Sequence, residues 1–162
     1  MIAVLISIRP KWCEKIISGE KTIEVRKTRP KMDTPFRGYI YRTKGTVPHI
    51  INGKWVQMEV GGTIIAEFTC DRIYELEMRS PGGSYYVKGE DQPTTNDVAR
   101  HSCLTLWDMH EYLQAGKGYG WHISNLRIYD HPRDLWEFAG LQRETEFGLA
   151  PKPITRPPQS WR

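Results

Sequence analysis

Apolar positions change their rhythm several times along the 162 residues, and each change marks an expected element. Residues 2–8 are almost unbroken β-branched or leucine sequence, the mark of a buried strand. Pro10 then suits a first helical position, where its missing N–H costs nothing. Trp12, Cys13, Ile16 and Ile17 recur at helical spacing, and Gly19 ends a short amphipathic helix. From Lys21 the period becomes two. Ile23 and Val25 alternate with Thr22, Glu24 and Arg26, so those three share one strand face.

Pro30 and Pro35 bracket a loop, and residues 38–43 form a strand carrying Tyr39 and Tyr41. Asn52-Gly53 lies between two apolar runs and predicts a two-residue hairpin turn. A long strand is expected over residues 63–77. Residues 80–96, rich in Gly and Pro, have the length of a lid or binding loop. Thr105 with Asp108 is a capping-box pattern, followed by a helix whose buried stripe is Leu106, Met109 and Leu113. Residues 119–129 read as strand, and Pro132 opens a helical turn through Trp136 and Phe138. Pro157 and Pro158 confine residues 154–161 to an edge or closing strand. Strands outnumber helices, which enter singly and without a βαβ rhythm. A small, partly open barrel decorated with helices follows.

The chain length fits one domain over residues 1–162. No run reaches the roughly 20 apolar residues of a membrane span, and the N-terminal strand lacks the features of a signal peptide. Cys13, Cys70 and Cys103 are far apart and form no CxxC pair, which argues against a disulfide framework or zinc ribbon and favours the cytosol. Net charge is +4, unevenly spread. Between residues 9 and 31 lie eight bases (Arg9, Lys11, Lys15, Lys21, Arg26, Lys27, Arg29, Lys31) and three acids (Glu14, Glu20, Glu24). Such a segment suits an anionic partner or a solvated face.

The octet Gly19-Glu20-Lys21-Thr22-Ile23-Glu24-Val25-Arg26 has the form GxKxxExR and resembles the signature of the ASCH family, within the PUA-like group. Residues 5–10, 63–71, 119–124 and 157–161 resemble further segments of that family, the last two those of a bacterial and phage-associated subgroup. The resemblance implies an α+β fold: a small, mixed, mostly antiparallel PUA-like β-barrel with inserted helices and a cleft beside the first helix. Members of the wider family are linked to RNA binding, ribonuclease activity and hydrolysis of acylated cytidine. In those amidohydrolases the motif lysine is catalytic, with a threonine three positions later; this chain has Lys21 but carries Glu24 at that place, with Thr22 on the same expected face.

The expected partner is single-stranded RNA or a nucleotide-like small molecule, with no cofactor and no metal. Arg9, Lys21, Arg26 and Lys27 are the candidate binding cations. Arg26 can fork two hydrogen bonds onto a phosphate. Tyr41 and Trp121 are candidate stacking platforms for a base, with core packing as the competing role. The alternative is a hydrolase using Lys21 and Glu24, aided by Thr22. A lysine crowded by a second cation is a route to a base or nucleophile, and Glu24 would activate water. The bland competitor is a structural Glu24–Arg26 ion pair. A further alternative is a phage-associated interaction module. His122 reads as a satisfied strand histidine, and His110-Glu111 lacks the second histidine of a zinc-protease helix.

Overall fold

The computed structural model describes residues 3–140 and 152–161. Ile2, expected in the first strand, lies outside that range. Strand β1 (Ala3–Ile8) leads into α1 (Pro10–Ile17), followed by β2 (Ile23–Arg26), β3 (Phe36–Arg42), β4 (Gly45–Ile51), β5 (Lys54–Val60), β6 (Thr63–Cys70), β7 (Ile73–Met78) and β8 (Tyr85–Val87). Helices α2 (Thr95–His101) and α3 (Leu106–Leu113) come next. Then follow β9 (Gly118–His122), β10 (Ser124–Arg133), a 3₁₀ turn (Leu135–Glu137), β11 (Ala139–Gly140) and β12 (Lys152–Pro153).

These strands form two four-stranded sheets, ordered β1-β3-β6-β10 and β2-β9-β7-β8, plus two two-stranded ribbons. The β1–β3 pair is parallel and every other pair is antiparallel. The architecture is therefore mixed α+β, and the hydrogen-bonded ladders stay as separate sheets rather than closing into one barrel. The reason lies at two corners. The long strand expected over residues 63–77 breaks at Asp71-Arg72, so β6 joins one sheet and β7 the other. The strand expected over residues 119–129 breaks likewise at Ile123. The corners are tied together, His122 N–H donating to Arg72 O at 2.9 Å and Ile123 N–H to Thr22 O at 2.8 Å. Strands that switch sheets in this way are how two sheets enclose one core.

That core is built from Val4, Ile6 and Ile8 of β1, Ile40 of β3 and Phe68 of β6, closed by Trp121 of β9 and by Cys13 and Ile16 of α1. A second cluster gathers Ile23, Val25, Tyr74, Leu76, Val98, Met109 and Leu113, which seats α2 and α3 on the other sheet. Leu106 departs from its expected buried stripe and is exposed at the first turn of α3. The supposed loop over residues 80–96 contains β8 and leads into α2, whose start is fixed by a capping box between Thr94 and Asp97. The Asn52-Gly53 hairpin is as expected: both residues take positive φ (51° and 74°), the conformation a type I′ turn demands. Pro132 belongs to β10, and the helical turn begins three residues later. No helix among the described residues is long and apolar enough to cross a membrane.

Candidate functional site

The motif is delivered by the reversal between α1 and β2. Ser18 caps the helix and Gly19 takes a φ of 79°, which L side chains rarely adopt. Lys21 N–H then donates to Lys15 O at 2.9 Å and Thr22 N–H to His101 O, also at 2.9 Å, pinning the chain before β2 pairs with β9. Alternation along β2 does the rest: Ile23 and Val25 enter the second core, while Glu24 and Arg26 turn the other way.

Lys21 is 3% exposed and Glu24 7%. The Lys21 ammonium donates to Ser102 O at 2.8 Å, stands 3.0 Å from Glu24 Oε2, and lies 5.1 Å from the centre of the Trp12 ring. Glu24 Oε1 is 3.1 Å from Arg26 Nε. That contact is ionic only, because the Nε–H is not aligned on the oxygen and finds no hydrogen-bond partner among the described residues. The rest of the guanidinium donates to Ser7 O and, at 3.4 Å, to Ser160 Oγ. Glu24 thus stands between two cations that would otherwise repel. The expected crowding of Lys21 by Arg26 is replaced by two attractive pairs, and Arg26 is engaged inside the protein rather than held ready for a phosphate.

A cleft of about 750 Å³ opens over this triad. Its lining includes four cations (Arg9, Lys21, Arg26 and Lys27) against one carboxylate, Glu24. Arg9 and Lys27 are exposed, and neither has an ion-pair partner among the described residues. The Lys27 ammonium lies 5.3 Å from the centre of the Tyr112 ring. The C-terminal segment closes one side: Ser7 N–H donates to Ser160 O at 2.8 Å, Ser7 Oγ to Pro158 O at 2.6 Å, and Trp161 Nε1 to Thr28 Oγ1 at 2.9 Å. The expected closing strand is reduced to a single bridge, Ile6 with Trp161.

Three of the sequence candidates stand elsewhere. Tyr41 is buried in a third cluster with Leu5, Ile64 and Ile154. Trp121 is fully buried between Phe36 (5.7 Å between ring centres) and Trp161 (6.0 Å). Both rings have the packing role, and neither lines the cleft. Thr22 turns its hydroxyl to His101 Nδ1 at 3.4 Å and is also outside the cleft lining. The aromatic rings that do line it, Trp12 and Tyr112, were missed: Trp12 was assigned to a helix core stripe, and Tyr112 sits 86 residues beyond the motif. His122 is paired with Asp71 at 2.7 Å, outside the cleft lining. Burial pushes the Cys13 and Cys70 thiols up to about 12, which removes them as nucleophiles near neutrality.

No protein-family model matches the sequence, and no curated protein matches it. Solved structures do. A serine-to-alanine variant of the ASCH protein from Zymomonas mobilis superposes with a TM-score of 0.60 at 17% identity, covering 99% of this chain and 86% of that one. A tyrosine-to-phenylalanine variant gives 0.59 at 17% identity, covering 99% and 88%. The unsubstituted ASCH protein gives 0.54 at 17%, covering 99% and 85%. With the strand–helix–strand opening and the corner-switching strands already described, this chain has the fold of an ASCH domain.

Proposed function

We propose that the cleft beside α1 binds single-stranded RNA or a nucleotide-like ligand, with phosphate held at Arg9 and Lys27 and a base against Trp12 or Tyr112. The observation that carries this is the set of four cations around one carboxylate in a cleft of about 750 Å³, two of them exposed. A phosphate meeting unpaired surface cations releases counterions, whereas the Lys21–Glu24–Arg26 triad shapes the floor and holds the closing segment. The two bent strands support an open PUA-like barrel as the architecture, and the three free thiols support a cytosolic setting.

The test is fluorescence anisotropy with a labelled single-stranded RNA octamer between 50 and 200 mM salt, as a chosen range. Affinity is expected to fall steeply, with Arg9→Ala and Lys27→Ala each weakening it. An affinity that is flat with salt removes the phosphate assignment.

A second reading is favoured by one contact, the 3.0 Å pairing of Lys21 with Glu24 at the cleft floor. In that reading the pair works as a hydrolytic dyad on RNA or an acylated nucleoside. Turnover that disappears in Lys21→Ala, with the variant still folded, supports it; turnover unchanged by the substitution rejects it.

A further inference from the structure

A larger cavity, about 930 Å³, lies on the far side of α3 from the cleft. It is bounded by the β7–β8 hairpin, the start of α2 and α3 itself, and among the described residues no carboxylate lines it. An aromatic pair and a cation–π pair shape it. On α3 the Trp107 indole, 69% exposed, stacks on His110 with ring centres 6.5 Å apart and planes 14° apart. On the hairpin the Arg79 guanidinium lies 5.7 Å from the centre of the Tyr86 ring. Below them Tyr85 is fixed, its hydroxyl donating to Gly116 O at 2.9 Å and its ring edge-on to His110.

An exposed indole alone needs no partner, since Trp55 and Trp136 are as exposed, but the chemistry around Trp107 is selective. Flat π faces, one guanidinium and no carboxylate among the described lining residues suit a planar base on a polyanionic strand better than an aliphatic or cationic partner. The position of α3 adds the second argument. Trp107 and Tyr112 are five residues apart, so they sit about 140° apart around the helix and about 7.5 Å apart along it. Tyr112 accordingly faces the cationic cleft while Trp107 faces the aromatic cavity. Passing from the Tyr112 face to the Trp107 face means crossing about 10 Å around the helix as well as the axial offset, roughly 12–13 Å in all, or about four stacked nucleotides at roughly 3.4 Å per step.

We infer that the cavity behind α3 is a second subsite, in which Trp107, backed by His110, stacks a base flanking the nucleotide held in the cleft. This rests on the cleft being an RNA site. It makes the domain a reader of a short strand crossing α3 rather than a binder of single nucleotides. Trp107 is exposed, so its replacement leaves the core intact.

The experiment compares a labelled octaadenylate with AMP as competitor, on the wild type, Trp107→Ala, Trp107→Phe and Lys27→Ala. Trp107→Ala is expected to weaken the octamer about 5- to 100-fold and leave AMP unchanged, with Trp107→Phe regaining most of the loss. If Lys27→Ala weakens the octamer while Trp107→Ala does not, the subsite is overturned and the cleft stands. Equal loss for AMP and octamer overturns it too, since Trp107 would then hold the first nucleotide. A proline-rich peptide that needs Trp107, with octamer affinity unmoved, would assign the cavity to a protein partner and end the proposal. No octamer binding by the wild type ends both readings together.

Discussion

Helix α3 separates two hollows that spend their polar groups in opposite ways. In the cleft Lys21 and Glu24 are buried, Arg26 is half-buried, and the three are tied to one another and to the backbone: Glu24 bridges Lys21 and Arg26, Ser102 O takes the ammonium, and Ser7 O takes the guanidinium. In the cavity behind α3, Trp107 stands in solvent with only His110 stacked beside it. The contrast separates what shapes a site from what meets a ligand. A buried charge needs its partner merely to persist, so the signature residues act first on architecture. Exposed groups such as Arg9, Lys27 and Trp107 carry no such duty and are the ones the proposed binding uses.

The contrast breaks most visibly in stability. Glu24→Gln leaves the buried Lys21 and the half-buried Arg26 without their carboxylate, a change that costs about 3–5 kcal/mol. In a chain of this size that corresponds to a fall in Tm of roughly 10 °C or more. Adding Lys21→Met should recover part of it by removing one stranded charge. Trp107→Ala, by comparison, should move Tm by no more than about 2 °C. Thermal unfolding of the four proteins followed by circular dichroism decides the matter, and a neutral Glu24→Gln would show that the triad is not structural.

Salt sharpens the same comparison on the binding side. Lys27→Ala should reduce the slope of log affinity against log salt for the RNA octamer by about 1, because one phosphate contact is lost. Trp107→Ala should lower affinity at every salt concentration with the slope unchanged, since stacking releases no counterions. Parallel loss of slope in both variants would mean that the two hollows do not divide the work as described.

How much of this was readable in advance depended on how local the cause was. The Asn52-Gly53 turn and the outward aim of Glu24 and Arg26 follow from neighbouring residues alone. Trp121 shows the opposite. Its register partner across β9 and β2 is Glu24, so the two share a face, yet Trp161 arrives from the far end of the chain to roof it. Tyr41 was lost the same way, under Ile154. Helix α2 carries the same capping box as α3, but it is seven residues long and follows a Gly- and Pro-rich run, so the pattern read as loop. Tyr112 and Trp107 could be placed on a helix from sequence; which hollow each faces depends on how α3 packs against the second sheet.

The smallest effect concerns how the aromatic cavity is held open. Glu77 of β7 accepts from the Tyr86 hydroxyl at 3.0 Å and pairs with Lys117 at 2.9 Å and Lys88 at 3.5 Å, fastening the hairpin that carries Tyr86. The hydrogen bond from Lys117, followed by that from Tyr86, holds the Glu77 carboxyl at about 2 instead of its ordinary 4.5. A carboxyl held down in this way favours the folded state fully above the ordinary value, and the advantage is lost as pH falls through about 2. Glu77→Gln should therefore unfold at a slightly lower temperature than the wild type at neutral pH, and the two curves should converge as the pH is taken from 4.5 down to 2. Octamer affinity should drop less than for Trp107→Ala, with AMP unaffected, because only one wall of the cavity loosens. A gap in Tm that persists at pH 2 would place the effect in packing rather than in the charge on Glu77.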